Sequence, residues 1–118
     1  MKNISLFILF LLCTQCQNNF PPTTLEITDK KIEAHFTRAA TKSQLDSIQQ
    51  VLTHHKIQLE YTILNWDNEV LSEMEFKVIV KNQYGIARSN FVNLRGKHFG
   101  FMIDLKDDNN FLVGDISK

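Results

Sequence analysis

The residues most able to do chemistry in this 118-residue chain are Cys13 and Cys16, the only two cysteines it has. A Cys-x-x-Cys pair can act as a redox couple or as half of a zinc site, but each use needs a context. No second ligand pair follows, and no strand-to-helix pattern surrounds the motif. What does surround it is Met1-Lys2-Asn3, then an apolar run from Ile4 to Leu12, then the polar Gln17-Asn18-Asn19. A charged start, a short apolar stretch and a small-residue exit form the layout of an export leader. At 1.5 Å per residue the apolar run covers about 14 Å, roughly half of a bilayer's hydrocarbon core. Residues 1–16 are therefore expected to be a signal peptide, and Cys16 to carry lipid on its sulfur as the first mature residue. Cleavage after Cys16, leaving a soluble periplasmic or secreted chain, is the alternative.

Other chemistry-bearing residues read as surface. His54 and His55 are adjacent on a helical stretch, so they point about 100° apart and cannot share a metal as i,i+4 ligands do. His35 lies between Ala34 and Phe36 on the polar side of a strand, and His98 adjoins Lys97 in a turn. Asp104, Asp107, Asp108, Asn109 and Asn110 supply oxygens, but Leu105, Lys106 and Phe111 break the alternation of a calcium loop and no glutamate closes it. Arg95-Gly96-Lys97-His98-Phe99-Gly100 lacks the Ser or Thr that follows the lysine of a phosphate loop. Glu73 and Glu75 share a strand face about 7 Å apart, which would suit an acid–base pair and also suits a solvated sheet face. No Gly-x-Ser-x-Gly and no His-Glu-x-x-His occurs. No catalytic residue, metal site or cofactor is expected.

Trp66 is the leading candidate for a partner contact, because Asn65-Trp66-Asp67-Asn68 reads as a polar turn in which a tryptophan has no evident core role; the alternative is that it folds back to cap the end of the sheet. Phe20, beside Pro21-Pro22, is a second expected contact with a partner or membrane. Charge excludes one partner class. Lys and Arg total 13 and Asp and Glu total 13, without a basic stripe, so nucleic acid has no electrostatic footprint here.

The elements that must position these residues follow from periodicity. Residues 17–24 read as an extended tether reaching about 25 Å, and residues 25–118 as one domain. Leu25 and Ile27, then Ile32, Ala34 and Phe36, alternate as strands do. Thr41-x-x-Gln44 is a capping box, and Leu45, Ile48, Val51 and Leu52 form the stripe of an amphipathic helix closed by His54, His55 and Lys56. From Ile57 the period returns to two, with Ile57, Leu59, Tyr61 and Ile63 on one face and Met74, Phe76, Val78 and Val80 on the next strand. Asn82-Gln83-Tyr84-Gly85 is read as a hairpin connection, followed by strands from Ile86, Phe99 and Phe111. The expected fold is α+β: one helix packed on a curved antiparallel sheet of four to five strands, in the order β-α-β-β-β-β, a cystatin-like two-layer sandwich.

The stretch from Ile32 to Gly85 carries Ile32-x-Ala34-x-Phe36, Thr41-x-Ser43-x-Leu45-x-x-Ile48, Ile57-x-Leu59-x-Tyr61 and Phe76-x-Val78-x-Val80-Lys81-Asn82-x-x-Gly85. This pattern, over about half of the chain, resembles a small exported accessory domain found in the extracytoplasmic regions of BlaR-type membrane peptidases and in short bacterial lipoprotein-like chains. The resemblance implies an accessory domain with none of the peptidase chemistry. The sequence thus points to an exported, lipid-anchored protein of the periplasm or outer membrane, acting as a non-enzymatic binding module for an envelope protein. A small inhibitor or regulator of an envelope enzyme is one alternative, and a minimal hydrolase using paired carboxylates another.

Overall fold

The computed structural model describes residues 7–10, 21–92, 98–106 and 111–116. Cys13, Cys16, Phe20, Arg95–Lys97 and Asp107–Asn110 lie outside them. The elements are β1 (Phe7–Phe10), β2 (Thr24–Ile27), β3 (Lys31–Phe36), α1 (Lys42–His54), β4 (Ile57–Asp67), β5 (Val70–Val80), β6 (Gln83–Ser89), β7 (Phe99–Asp104) and β8 (Phe111–Asp115). The single helix and the antiparallel strands make an α+β protein, as the periodicity requires.

The strands do not form the one continuous sheet expected from their short links. They divide into a five-stranded sheet ordered β1-β2-β3-β7-β8 and a three-stranded sheet ordered β4-β5-β6. The division falls at the long link from β6 to β7. There the chain leaves β6 and returns beside β3, where Phe36, Ala34 and Ile32 stand opposite Phe99, Phe101 and Ile103. Two apolar alternations in register bury both strands on one face, which a β6–β7 hairpin would not.

The two inner faces meet over a core rich in phenylalanine. The Phe76 ring lies 5.3 Å from Phe36, 5.4 Å from Phe99 and 5.8 Å from Phe101. The sheets also approach at one seam, where small residues allow it: a Cβ on Gly85 of β6 would sit 2.8 Å from a Val113 methyl of β8. Along the other border, α1 lies beside β4 and buries Leu45, Ile48 and Leu52. Gln49 Nε2 donates to the Leu59 carbonyl at 2.6 Å, and the Tyr61 hydroxyl donates to the Leu45 carbonyl at 2.6 Å. The first bond occupies a backbone carbonyl of β4, which β5 pairs on one side only, and the second ties the β4 side chain Tyr61 to the helix backbone. Burial pushes the Tyr61 phenol well above its ordinary range, with the Asp46 charge adding to the effect.

The helix start is as its sequence requires. Thr41 Oγ1 accepts from the Gln44 amide at 3.1 Å, and Gln44 Oε1 accepts from the Thr41 amide at 2.9 Å. At the other end Lys56 takes φ 63, the left-handed conformation that stops a helix. Ahead of β2, one residue of the stretch read as tether is anchored by side-chain bonds. Thr23 is buried, and its hydroxyl accepts from the Thr37 amide at 2.9 Å and bonds the Thr37 hydroxyl at 3.1 Å.

Two hairpins also differ from expectation. Lys81 and Asn82 connect β5 to β6, with Lys81 at φ 54, while Gly85 is a strand residue opposite Val78. Asn68 and Glu69 connect β4 to β5 with φ of 53 and 68, the two positive angles of a type I′ turn. Asparagine tolerates that conformation and glutamate does not. Glu69→Gly should therefore raise stability by about 0.5–1 kcal/mol, the left-handed penalty less the entropy of the added glycine. An unchanged or lower urea midpoint would show that the turn carries no such strain.

Candidate interaction surface

β5 is the middle strand of the three-stranded sheet, and its alternation sets which side chains face out. Leu71, Met74, Phe76 and Val78 turn into the core. Glu73, Glu75, Lys77 and Ile79 turn away from it. Pairing builds rows on this outer face: Gln58–Ile79–Tyr84, Glu60–Lys77–Ile86, Ile63–Glu75–Arg88 and Asn65–Glu73.

The rows depend on two register shifts. Tyr61 faces Phe76 and Ile63 faces Glu75, so Thr62 is an extra residue on β4; Asn65 faces Glu73 and Trp66 faces Leu71, so Ser72 is an extra residue on β5. A bulge of one residue reverses which face the following side chains occupy. Ile63, expected inside with Ile57, Leu59 and Tyr61, moves to the outer face. Leu64 and Trp66 move inward and pack against the core. Trp66 is thus a half-buried strand residue opposite Leu71, not a turn residue at a loop tip. The turn lies beyond it, at Asn68–Glu69.

On β6 the inward positions are Gly85, Ala87 and Ser89, and the outward ones are Tyr84, Ile86 and Arg88. Close approach of β8 explains the small residues and leaves the large ones in solvent: Tyr84 is 65% exposed and Ile86 53%. The Lys77 ammonium sits 4.9 Å from the centroid of the Tyr84 ring, a cation–π contact. Arg88 Nε donates to Glu73 Oε2 at 2.7 Å, the second guanidinium nitrogen Nη2 bonds the same oxygen, and Asn65 Nδ2 donates to Glu73 Oε1 at 2.7 Å. The Arg88 and Asn65 hydrogen bonds hold the Glu73 carboxyl below the usual carboxylate range. Thr62 Oγ1 donates to Glu75 Oε2 at 2.8 Å. The face is therefore an apolar and aromatic strip, Tyr84 and Ile86 with Ile79 beside them, bordered by charges that are already engaged. The alternation Gly85-x-Ala87-x-Ser89 was the sequence signal for it, since three small residues on one strand face mark close packing there and turn the large ones out.

A second polar cluster occupies the outer face of the five-stranded sheet. Glu33 accepts from Lys31 Nζ at 2.8 Å and from His35 Nε2 at 2.6 Å, and the His98 ring stands edge-on to His35 with centroids 4.8 Å apart. Burial works to raise the Glu33 carboxyl, but the hydrogen bonds and charges of Lys31 and His35 outweigh it and hold the group below its ordinary value. The same hydrogen bond raises Lys31. Read singly, His35 and His98 are surface residues; the β3–β7 pairing is what brings them together. His54 and His55 stay apart from them, exposed at the end of α1. Among the described residues, no group of three or more His, Cys, Asp or Glu is placed to hold a metal ion, and no helix is long and apolar enough to cross a membrane.

Fold and surface together define a small two-sheet α+β protein with an exposed aromatic and apolar strip on one sheet face. Comparison of the chain with protein-family models, with curated proteins and with solved structures finds no match.

Proposed function

We propose that this chain is an exported, lipid-anchored envelope protein that acts as a non-enzymatic binding module through the outer face of its three-stranded sheet. The observation that carries the binding half is the exposure of Tyr84 and Ile86, 65% and 53%, on neighbouring outward positions of one strand. An aromatic anchor beside aliphatic residues, rimmed by charge, is the composition that protein partners bury. Because Arg88 already pairs with Glu73 and Lys77 already rests over Tyr84, a partner need not neutralise this face. It needs an apolar patch of its own, and the contact should depend little on salt. The export half is supported by the leader-like opening run and by Cys16 at its exit. A hydrolase using Glu73 and Glu75 has less support, since both carboxylates are already engaged, Glu73 by Arg88 and Asn65 and Glu75 by Thr62.

The test is a photo-crosslinking residue placed at Tyr84 in living cells, with metabolic lipid labelling of Cys16 in parallel. One defined envelope protein should crosslink, and Ile86→Glu should remove the adduct while leaving the thermal midpoint within about 2 °C, as for other surface substitutions. Absence of an adduct, or an adduct indifferent to Ile86→Glu, would defeat the binding surface. Absence of lipid label would defeat the anchor alone.

A further inference from the structure

At the border of the five-stranded sheet, β1 covers β2. The direction of the backbone groups along β2 is fixed by its other neighbour. The Thr28 amide donates to the Lys31 carbonyl at 2.9 Å, so these two form a hydrogen-bonded pair of the β2–β3 hairpin. Backbone groups alternate sides along a strand. Thr24 and Glu26 therefore turn their N–H and C=O towards β3, and Leu25 and Ile27 turn theirs towards β1. In the β1–β2 register Leu9 stands opposite Leu25 and Phe7 opposite Ile27.

Phe7–Phe10 is part of the run that reads as an export leader. A segment cannot be a leader that is clipped away and an edge strand at once. We infer that β2 is a strand-acceptor edge: after residues 1–16 leave, Thr24–Ile27 pairs antiparallel with an extended apolar segment of a partner protein, in the seat that Phe7–Phe10 fills in the full chain. The inference rests on the export reading proposed above.

Edge strands in natural sheets are blunted by lysine, proline, bulges or inward charges. β2 is short and carries Glu26 on its outward side, which disfavours a charged or self-complementary strand, but it has no proline, bulge or inward charge: Leu25 and Ile27 point into the core, and its pairing with β3 is regular. Uncovered, it presents the N–H and C=O of Leu25 and Ile27 to solvent, without a protein partner on that side. Strand addition supplies one, together with apolar contacts beside the core. The register sets Phe7 and Leu9 opposite the core residues Ile27 and Leu25, and Ile8 opposite Glu26, so an added strand with apolar residues at those two alternate positions continues the pattern. A second copy fits worse. A β2–β2 pairing that joins Leu25 to Ile27 of each copy sets Glu26 opposite Glu26, and like charges directly opposed destabilise a ladder.

Amide hydrogen exchange on the full chain tests this. Leu25 and Ile27 should be protected, and Leu9→Pro, which removes an N–H facing β2, should speed their exchange at least tenfold. The Glu26 amide, held by β3, should not change. A soluble peptide carrying Phe-Ile-Leu-Phe between lysines should restore protection to the Leu9→Pro variant, and the same peptide with proline at its third apolar position should not. Fast exchange of Leu25 and Ile27 in the unaltered chain, or no response to the peptide, would overturn the inference. Protection in the variant without peptide, with a doubled mass in sedimentation, would assign the edge to a second copy and also overturn it. The mass of the chain recovered from cell membranes reads the export premise separately. An intact Met1 start would overturn the inference along with that premise, because Phe7–Phe10 would then keep the seat, and the exchange result would stand as a property of the chain's own edge strand.

Discussion

Phe76→Ala should cost about 3–5 kcal/mol, the range for deleting a phenylalanine from a packed core. Phe76 projects from the centre of the three-stranded sheet into the gap between the layers, and it is fully buried. Its ring meets Phe36, Phe99 and Phe101, which belong to two strands of the other sheet, with tilted or edge-on geometries that add to area burial. The substitution therefore removes the principal aromatic link between the sheets. The hole is bordered by strands whose positions are fixed by hydrogen bonding on both sides, so it cannot collapse easily. A domain of about a hundred residues has roughly 5–15 kcal/mol of stability in all. The melting temperature should fall by roughly 12–30 °C. Phe76→Leu, which keeps most of the volume, should lose less than half as much. Equal losses for the two variants would mean that the ring geometry, not the filled volume, holds the layers together.

What could be read from the residues, and what could not, divides along the same line between local and distant. The helix was legible because its signals are local: Thr41 and Gln44 cap each other, and Leu45, Ile48 and Leu52 recur at helical spacing. The buried face of β5 was legible because Met74, Phe76 and Val78 alternate without interruption. The polar neighbours of Trp66 read as a turn, but β4 runs on to Asp67 and the turn falls at Asn68–Glu69; the inward face of Trp66 then follows from one extra residue, Thr62, and nothing in Tyr61-Thr62-Ile63 announces a bulge. The split into two sheets was hidden for a related reason. Whether β7 pairs with β6 or with β3 depends on how well distant alternations match, and short-range turn chemistry cannot decide it. The candidate surface inherits this: Tyr84 and Ile86 are visible in the sequence, but their exposure follows from β8 lying under Gly85 and Ala87.

Among the described glycines, Gly100→Ala should be the most damaging methyl addition. Gly100 stands in β7 opposite His35, and it is buried. A Cβ there would lie 1.8 Å from the Ala34 carbonyl oxygen and 2.8 Å from the carbonyl carbon. Glycine inside a strand often marks such an approach of backbone to backbone. Overpacking commonly costs about 1–3 kcal/mol when side chains can yield. Here the obstacle is main chain, and moving it means parting β3 from β7 at the pairing that places Phe36, Phe99 and Phe101. The loss should exceed about 3 kcal/mol, and the variant should be largely unfolded or molten at 37 °C. Gly85→Ala is the internal comparison, because its added methyl meets only the Val113 side chain, at 2.8 Å. Trimming the obstacle with Val113→Ala should relieve Gly85→Ala in the double variant, whereas no side-chain truncation should relieve Gly100→Ala. A Gly100→Ala protein that melts within a few degrees of the unaltered chain would mean that β3 and β7 stand further apart than this pairing places them.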